Sequence, residues 1–327
     1  MEKGRILFLY ENAAPFVTAD LEILRERFDV TPMECSSGTT FQGLLGPLRR
    51  ADASFSWFAL GYAARAVLLG KWFRRPSVVV AGGWDVISMP EIGYGAVRSS
   101  RGRLRARYVL RRCDLLLTFS DWSRKTIETL SGRRAERVYL GVDLDRFRPA
   151  AKEPLVVTVG NVTKENLARK GIETFVRAAA LVPDVPFLVV GRQEPEAMEA
   201  VRTIAPPNVR FTGRLSDEAL RDVLARAKVY VQASHNEGFG LAVAESMAAG
   251  CVPVVTKAGS LPEVVGEVGL FAPIGSPEAT AEAIRRALES DRGDAAREHV
   301  ARSFPISRRR KHLLELVEGI MRREHGR

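Results

Sequence analysis

The chain has 327 residues, 46% hydrophobic and 27% charged, which are the proportions of a folded globular protein and exclude a disordered one. Its length exceeds one ordinary core and predicts two domains of about 150 residues each. The formal net charge is +10. Three cysteines, Cys35, Cys113 and Cys251, lie far apart with no C-x-x-C spacing or histidine cluster, so neither a disulfide framework nor a zinc site is readable.

The charge is uneven: residues 1–150 carry 24 Lys and Arg against 16 Asp and Glu, whereas residues 151–327 carry 25 against 23. A basic N-terminal half favours anionic partners, whether nucleic acid, lipid headgroups or phosphorylated acceptors. No helix-turn-helix, zinc or RNP-like signature is present, so nucleic acid is not expected. The start runs directly into I-L-F-L-Y without a signal-peptide pattern. The most apolar internal run, Phe55 to Phe73, is broken by Arg65 and Lys71 and is too polar to span a bilayer. The expectation is a cytoplasmic protein, peripheral at most to the inner face of the membrane.

In chain order, Arg5–Tyr10 reads as a buried parallel strand and Phe16–Phe28 as an amphipathic helix. Ala53–Trp57 is a strand and Tyr62–Phe73 is helix-like. Ser77–Ala81 is a strand that ends in Gly82, Gly83, Trp84 and Asp85, setting a close turn and a carboxylate at its C-terminal edge. Asp85 there is either a base or the residue that holds the turn. Met89–Arg98 reads as a loop. Ser99–Arg112 carries six arginines beside Leu104, Tyr108, Val109 and Leu110, an apolar stripe against a cationic face. That face is either simply solvated or a surface for a membrane or an anionic acceptor. Asp114–Ser120 is the next strand.

The segment Y-L-G-V-D-L-D-R-F-R-P (139–149) closes the first half. Its Asp143-Leu144-Asp145 is the one D-x-D in the chain and is read as structural rather than metal-binding. Leu155–Val159 is followed by the loop G-N-V-T-K-E-N-L-A-R-K-G (160–171) and a helix over Ile172–Leu181. Arg169 and Lys170, just before a helix start, can neutralise a diphosphate. Strands at Val185–Val190, Val209–Thr212, Val229–Gln232 and Val252–Thr256 alternate with helices at Ser216–Ala225 and Ala279–Glu289, the order of a parallel α/β sheet. Ile306–Arg323 is a last apolar-periodic helix.

The most informative stretch is S-H-N-E-G-F-G-L-A-V-A-E (234–245). A loop with Glu237, Gly238, Phe239 and Gly240 leads into a helix opening at Gly240 or Leu241. The free N–H groups and dipole of that first turn make a diphosphate seat. Glu245 lies ~6–8 Å further along the helix, an offset that suits a ribose. Glu237 and Glu245, followed by A-G-C-V-P-V-V and G-S-L-P-E-V-V, resemble the donor-binding segment of the retaining glycosyltransferases of family 4. That family has the GT-B fold.

The resemblance covers nearly all of the C-terminal half. It implies two Rossmann-like α/β domains facing across a cleft, at 1–148 and 149–303, with a helix over 304–327 crossing back to the first. It implies that Glu237 contacts the donor sugar, Glu245 the ribose, and Lys170 the diphosphate. Asn161, Arg169, His235, Gly238, Phe239, Gly240 and Leu241 complete the donor set. Glu237, Lys170 and Asp85 are the implied catalytic groups, and Gly82, Gly83, Trp84 and Asp85 face the acceptor. The donor is a UDP- or GDP-linked sugar, the acceptor a glycan or a lipid-linked molecule, and no cofactor or metal is implied.

Three features depart from the family pattern. The loop at 11–16 lacks glycines, Asn161 stands where an arginine is usual, so that Arg169 or Lys164 would have to supply its charge, and Gly82 replaces a histidine. All four histidines fall after residue 234, so no histidine base is expected from the first domain. A GT-B-shaped binding protein, or a sugar-nucleotide hydrolase or epimerase, therefore stands as the alternative.

Overall fold

The computed structural model describes residues 3–325, with side chains through 322. The chain forms two compact units. The first reaches to Leu140 and takes back the chain from Ser307, and the second runs from Gly141 to Ile306.

The first unit alternates β1 (Arg5–Tyr10), α1 (Pro15–Arg25), β2 (Asp29–Glu34), α2 (Phe41–Arg50), β3 (Ala53–Trp57), α3 (Gly61–Phe73), β4 (Ser77–Val80), α4 (Ser100–Arg112), β5 (Leu115–Thr118), α5 (Asp121–Ser131) and β6 (Glu136–Arg137). Its six strands are all parallel, in the order β2-β1-β3-β4-β5-β6. Every residue of β3 and β4 is buried, as a parallel sheet covered on both faces requires. The chain begins at β1, lays β2 on one side and crosses to β3 on the other, so the order reverses between β1 and β3. The expected loop 89–98 holds two short 3₁₀ turns, Pro90–Ile92 and Ala96–Arg98. Ser99 then caps α4 by accepting the Gly102 N–H at 3.0 Å.

The second unit runs through β7 (Glu153–Val159), α6 (Lys164–Arg169), α7 (Ile172–Ala180), β8 (Phe187–Val190), α8 (Pro195–Arg202), β9 (Val209–Gly213), α9 (Asp217–Arg226), β10 (Ala227–Gln232), α10 (Leu241–Ala248), β11 (Val252–Thr256), α11 (Leu261–Val265), β12 (Leu270–Ala272), α12 (Pro277–Leu288) and α13 (Gly293–Ser303). Its parallel sheet has the order β12-β11-β10-β7-β8-β9, reversing between β7 and β10. Val156, Val229 and Val252 on the central strands pack with Phe175 of α7 and Ile284 of α12 into one core. Residues 141–149 are tied to this unit. The Val142 N–H donates to Phe304 O at 2.8 Å, and the Arg297 guanidinium donates to the carbonyls of Leu144, Phe147 and Ala248.

The last helix, α14 (Ile306–His325), packs within the first unit. It buries Leu313, Leu314, Val317 and Met321. Arg309 forms a bidentate pair with Asp20 of α1 at 2.6 and 2.7 Å, and Arg310 pairs with Glu26 at 3.0 Å. α14 also carries His312, exposed, into the first unit. A helix late in sequence belongs to the earlier fold.

Candidate active site

In an open α/β sheet, the loops leaving the strands on either side of the order reversal splay apart and leave a crevice for ligand. In the second unit these are the connection from β7 through α6 to α7, which holds Lys170 at the end of α6, and the loop after β10, which holds Glu237. The Lys170 Nζ donates to Glu237 Oε1 at 2.5 Å. Glu237 is 8% exposed, close enough to solvent to meet a ligand and buried enough to need partners. Ser234 Oγ donates to the same oxygen at 2.9 Å and Gln232 Nε2 at 3.3 Å. Gln232 in turn accepts from the Tyr230 hydroxyl at 2.9 Å. Burial alone would raise the Glu237 carboxyl, but Lys170, Arg169 and Ser234 together hold it below the ordinary carboxylate value.

Backbone contacts fix the loops that carry this pair. The His235 N–H donates to Arg169 O at 2.8 Å, and Glu237 O accepts from the Ser260 N–H at 3.0 Å and its hydroxyl at 3.1 Å. Gly171, at φ 66°, and Gly259, at φ 59°, would collide through any Cβ with Ala233 O and Glu237 O respectively. Only glycine lets these chains approach so closely. Tyr230 and Gln232 were missed because they lie on β10 ahead of any motif, whereas Ser234, Gly259 and Ser260 sit inside S-H-N-E-G-F-G and G-S-L-P-E-V-V, which gave them no separate role.

Gly240 has φ 90° and is the N-cap of α10, with no side chain closing the helix start. Leu241 is the first helical residue, and Gly238, like Leu241, is half-buried. Glu245 lies one turn into α10, half-buried. Burial pushes its carboxyl up to about 7, with Arg146 pulling the other way.

Phe239 faces inward, 3% exposed, its ring edge-on to Phe304 at 5.4 Å. Its ring therefore has a packing role, and of the donor set named from sequence its side chain is not one that faces solvent. Asn161 is also committed, since its Oδ1 accepts the Arg192 N–H at 3.0 Å. The Arg169 guanidinium is held by Asn166 at 2.6 Å and by Glu165 at 3.2 Å, and contributes to Glu237 through its charge. Lys164 is exposed at the start of α6. Arg192, whose side chain is 66% exposed beside Asn161, is a cation at this edge that sequence reading did not single out. The clue was Gly191, which at φ 153° has no room for a Cβ against Gly160 O.

In the first unit, Asp85 is fully buried and accepts the N–H groups of Ala59 at 2.9 Å, Gly82 at 3.2 Å and Gly83 at 2.9 Å. Burial raises its carboxyl and these N–H groups oppose that rise. The acid therefore pins the turns after β3 and β4 together, and the expectation of a catalytic base is withdrawn. Gly82 explains the missing histidine: at φ 145°, its Cβ would lie 2.7 Å from both Ser123 Cβ and Thr118 Oγ1. Gly82→Ala is expected to lower stability by about 1–3 kcal/mol, read as a shift in urea midpoint at unchanged slope. Gly83 is half-buried and Trp84 is 40% exposed.

Residues 153–290 match the family model described as Glycosyl transferases group 1. A GDP-mannose-dependent monoacylated alpha-(1-6)-phosphatidylinositol monomannoside mannosyltransferase of Corynebacterium glutamicum is 26% identical over 76% of this chain and 69% of its own. An MMP alpha-(1->4)-mannosyltransferase of Mycolicibacterium hassiacum is 30% identical over 73% of this chain and 57% of its own. The chain thus spans about half to two thirds of the length of such curated relatives. Among solved structures, Anabaena Alr3699/HepE in complex with UDP-glucose superposes with a TM-score of 0.80 at 17% identity, over 96% of this chain and 99% of that one. Sucrose-phosphate synthase from Thermosynechococcus elongatus superposes at 0.78 and 18%, over 97% and 99%. Two reversed-order parallel sheets and these superpositions show the GT-B fold, with the second unit similar to the group 1 glycosyl transferases.

Proposed function

We propose that this protein moves a sugar from a nucleoside-diphosphate sugar to a hydroxyl acceptor, with retention of anomeric configuration and without a metal ion. The observation that carries the reading is the Lys170–Glu237 contact where the sheet order reverses. Lys170 has three N–H donors. One serves Glu237, and two are left for diphosphate oxygens. With the open first turn of α10, they oppose the negative charge that grows on the leaving diphosphate. Glu237, kept ionised, accepts from sugar hydroxyls and orients the ring rather than attacking it. As the anomeric C–O bond to phosphate breaks, the acceptor oxygen bonds the same face, and its proton passes to the departing phosphate oxygen.

The donor is UDP- or GDP-linked. The acceptor is lipid-linked or an anionic glycan, in keeping with the relative named for a phosphatidylinositol mannoside. No helix among the described residues is long and apolar enough to cross a membrane, and the basic first unit is proposed to meet an anionic membrane from the cytoplasmic side. Incubation with donor, with and without acceptor lipid, tests the function. Transfer only when acceptor is present supports it, turnover without acceptor identifies a hydrolase or epimerase, and binding without turnover identifies a binding protein.

Glu245 gives the donor site a pH signature. A ribose diol needs the ionised carboxylate as acceptor, so nucleoside-diphosphate affinity is expected to rise from pH 6 to 8, around the value of about 7. Glu245→Gln flattens that profile in calorimetric titrations. The sign for stability is opposite. A carboxyl raised by burial costs the fold as pH climbs from its unfolded value to its folded one, so the ligand-free Gln variant gains melting temperature over wild type between pH 5 and 8.

A further inference from the structure

The arginines of the first unit are not all solvated surface. Helices α3 and α4 pack together, and two cavities beside them meet at Arg105. One, of 460 Å³, is lined by Trp84 and Arg98. The other, of 270 Å³, is lined by Phe41, Arg65 and Leu68. Gly61 opens α3 shortly after β3, at the sheet edge where open α/β folds receive ligands. A Cβ placed on Gly61 would lie 3.0 Å from Arg65 Nη1 and 3.4 Å from Arg105 Nη1, so two guanidiniums converge on one point.

None of Arg65, Arg98 and Arg105 has a carboxylate partner among the described residues. Arg105 Nε is buried with no acceptor at all. The α3 start adds positive potential, because its N-cap Leu60 offers no side-chain acceptor and its first turn holds no acid. Like charges brought together in partly buried surroundings repel, and an anion accepting from both guanidiniums removes that cost. The cavity that Arg65 and Arg105 share also carries two exposed apolar side chains, Phe41 at 45% and Leu68 at 48%, and further along the same two helices Trp72 is 78% and Leu104 69% exposed. Arg65, Leu68 and Trp72 follow the i, i+3, i+7 spacing of one helix face. A soluble phosphate has no use for such apolar exposure, whereas a bilayer takes up tryptophan and leucine at its interface while arginine holds the phosphate.

We propose that this α3–α4 face seats the phosphodiester headgroup of an anionic phospholipid in a bilayer, with Arg65 and Arg105 on the phosphate oxygens and Trp72, Leu68 and Leu104 in the apolar layer. The inference rests on the membrane-contact reading above and gives it a defined seat; donor binding in the second unit does not depend on it.

The test is co-sedimentation with vesicles of phosphatidylcholine alone or mixed with phosphatidylglycerol, at low and raised salt. Wild type binds the anionic vesicles and is released by salt. R65Q/R105Q loses about tenfold or more in affinity, and W72S weakens binding with no change in charge. R101Q/R103Q removes the same two charges from exposed positions outside both cavities and stays within about threefold of wild type. Equal losses in the two arginine pairs would show diffuse attraction and overturn the seat. Release of the protein from vesicles by millimolar glycerol phosphate at constant ionic strength would show a soluble-phosphate site and overturn the bilayer commitment. Nucleoside-diphosphate stabilisation is measured on the same variants. If it persists while vesicle binding fails, this inference falls alone, and if it is absent from wild type, the donor reading falls.

Discussion

Glu237→Ala is expected to lower glycosyl transfer by about 100-fold or more, while the nucleoside diphosphate still raises the melting temperature. The carboxylate is held by Lys170, Ser234 and Gln232, so its oxygens are fixed before a donor arrives, and pre-positioned groups contribute most where charge develops. In the proposed mechanism, removing it takes away the sugar contact but leaves the Lys170 ammonium and the α10 start to bind phosphate. Glu237→Gln preserves shape and most hydrogen bonds, and separates loss of charge from loss of packing. Initial rates and melting curves on both variants decide the matter. A Glu237→Ala enzyme that transfers at the wild-type rate would remove Glu237 from the mechanism.

The largest expected effect on stability comes from the first unit. Arg309 is 4% exposed and Asp20 fully buried. The same guanidinium also donates to Val138 O at 2.7 Å and Tyr139 O at 3.0 Å and lies 5.8 Å from the Trp57 ring. Arg309→Met leaves a buried carboxyl and two carbonyls without their donor, a change that costs about 3–5 kcal/mol. R309M/D20L removes both charges and is expected to recover most of the loss. All four tryptophans, Trp57, Trp72, Trp84 and Trp122, lie in this unit, so their fluorescence in urea follows its unfolding alone. A loss under about 1 kcal/mol in the single variant would show that α14 is held by its apolar face rather than by this pair.

Buried parallel strands were the most legible part of the fold, because runs such as Ser77–Val80 are apolar enough to need cover on both faces. The edge strand β2 was not legible: it contains Pro32 and is mostly exposed, so it lacks the apolar run that marks its neighbours. Helix α6 was hidden inside a loop, although Thr163 accepting the Asn166 N–H at 3.1 Å is a readable cap. In the candidate site, the two glutamates announced themselves by spacing along one segment. The Lys170–Glu237 contact joins residues 67 apart and follows only from the strand order, which spacing does not contain. Asp85 and Phe239 misled for a related reason, since each sits in a motif full of ligand-binding residue types but turns its side chain into the core.

The second unit is proposed to hold a nucleoside-diphosphate sugar between Lys170, Glu237 and the start of α10. A melting-temperature screen of nucleotide sugars against wild type and Glu237→Ala tests it most directly, since a ligand that binds only the folded protein must raise its melting point. One UDP- or GDP-sugar is expected to stabilise wild type more than its parent nucleoside diphosphate does, and Glu237→Ala is expected to keep the response to the diphosphate but lose the increment from the sugar. No stabilisation of wild type by any nucleotide sugar, or an undiminished sugar increment in the variant, would contradict this proposal.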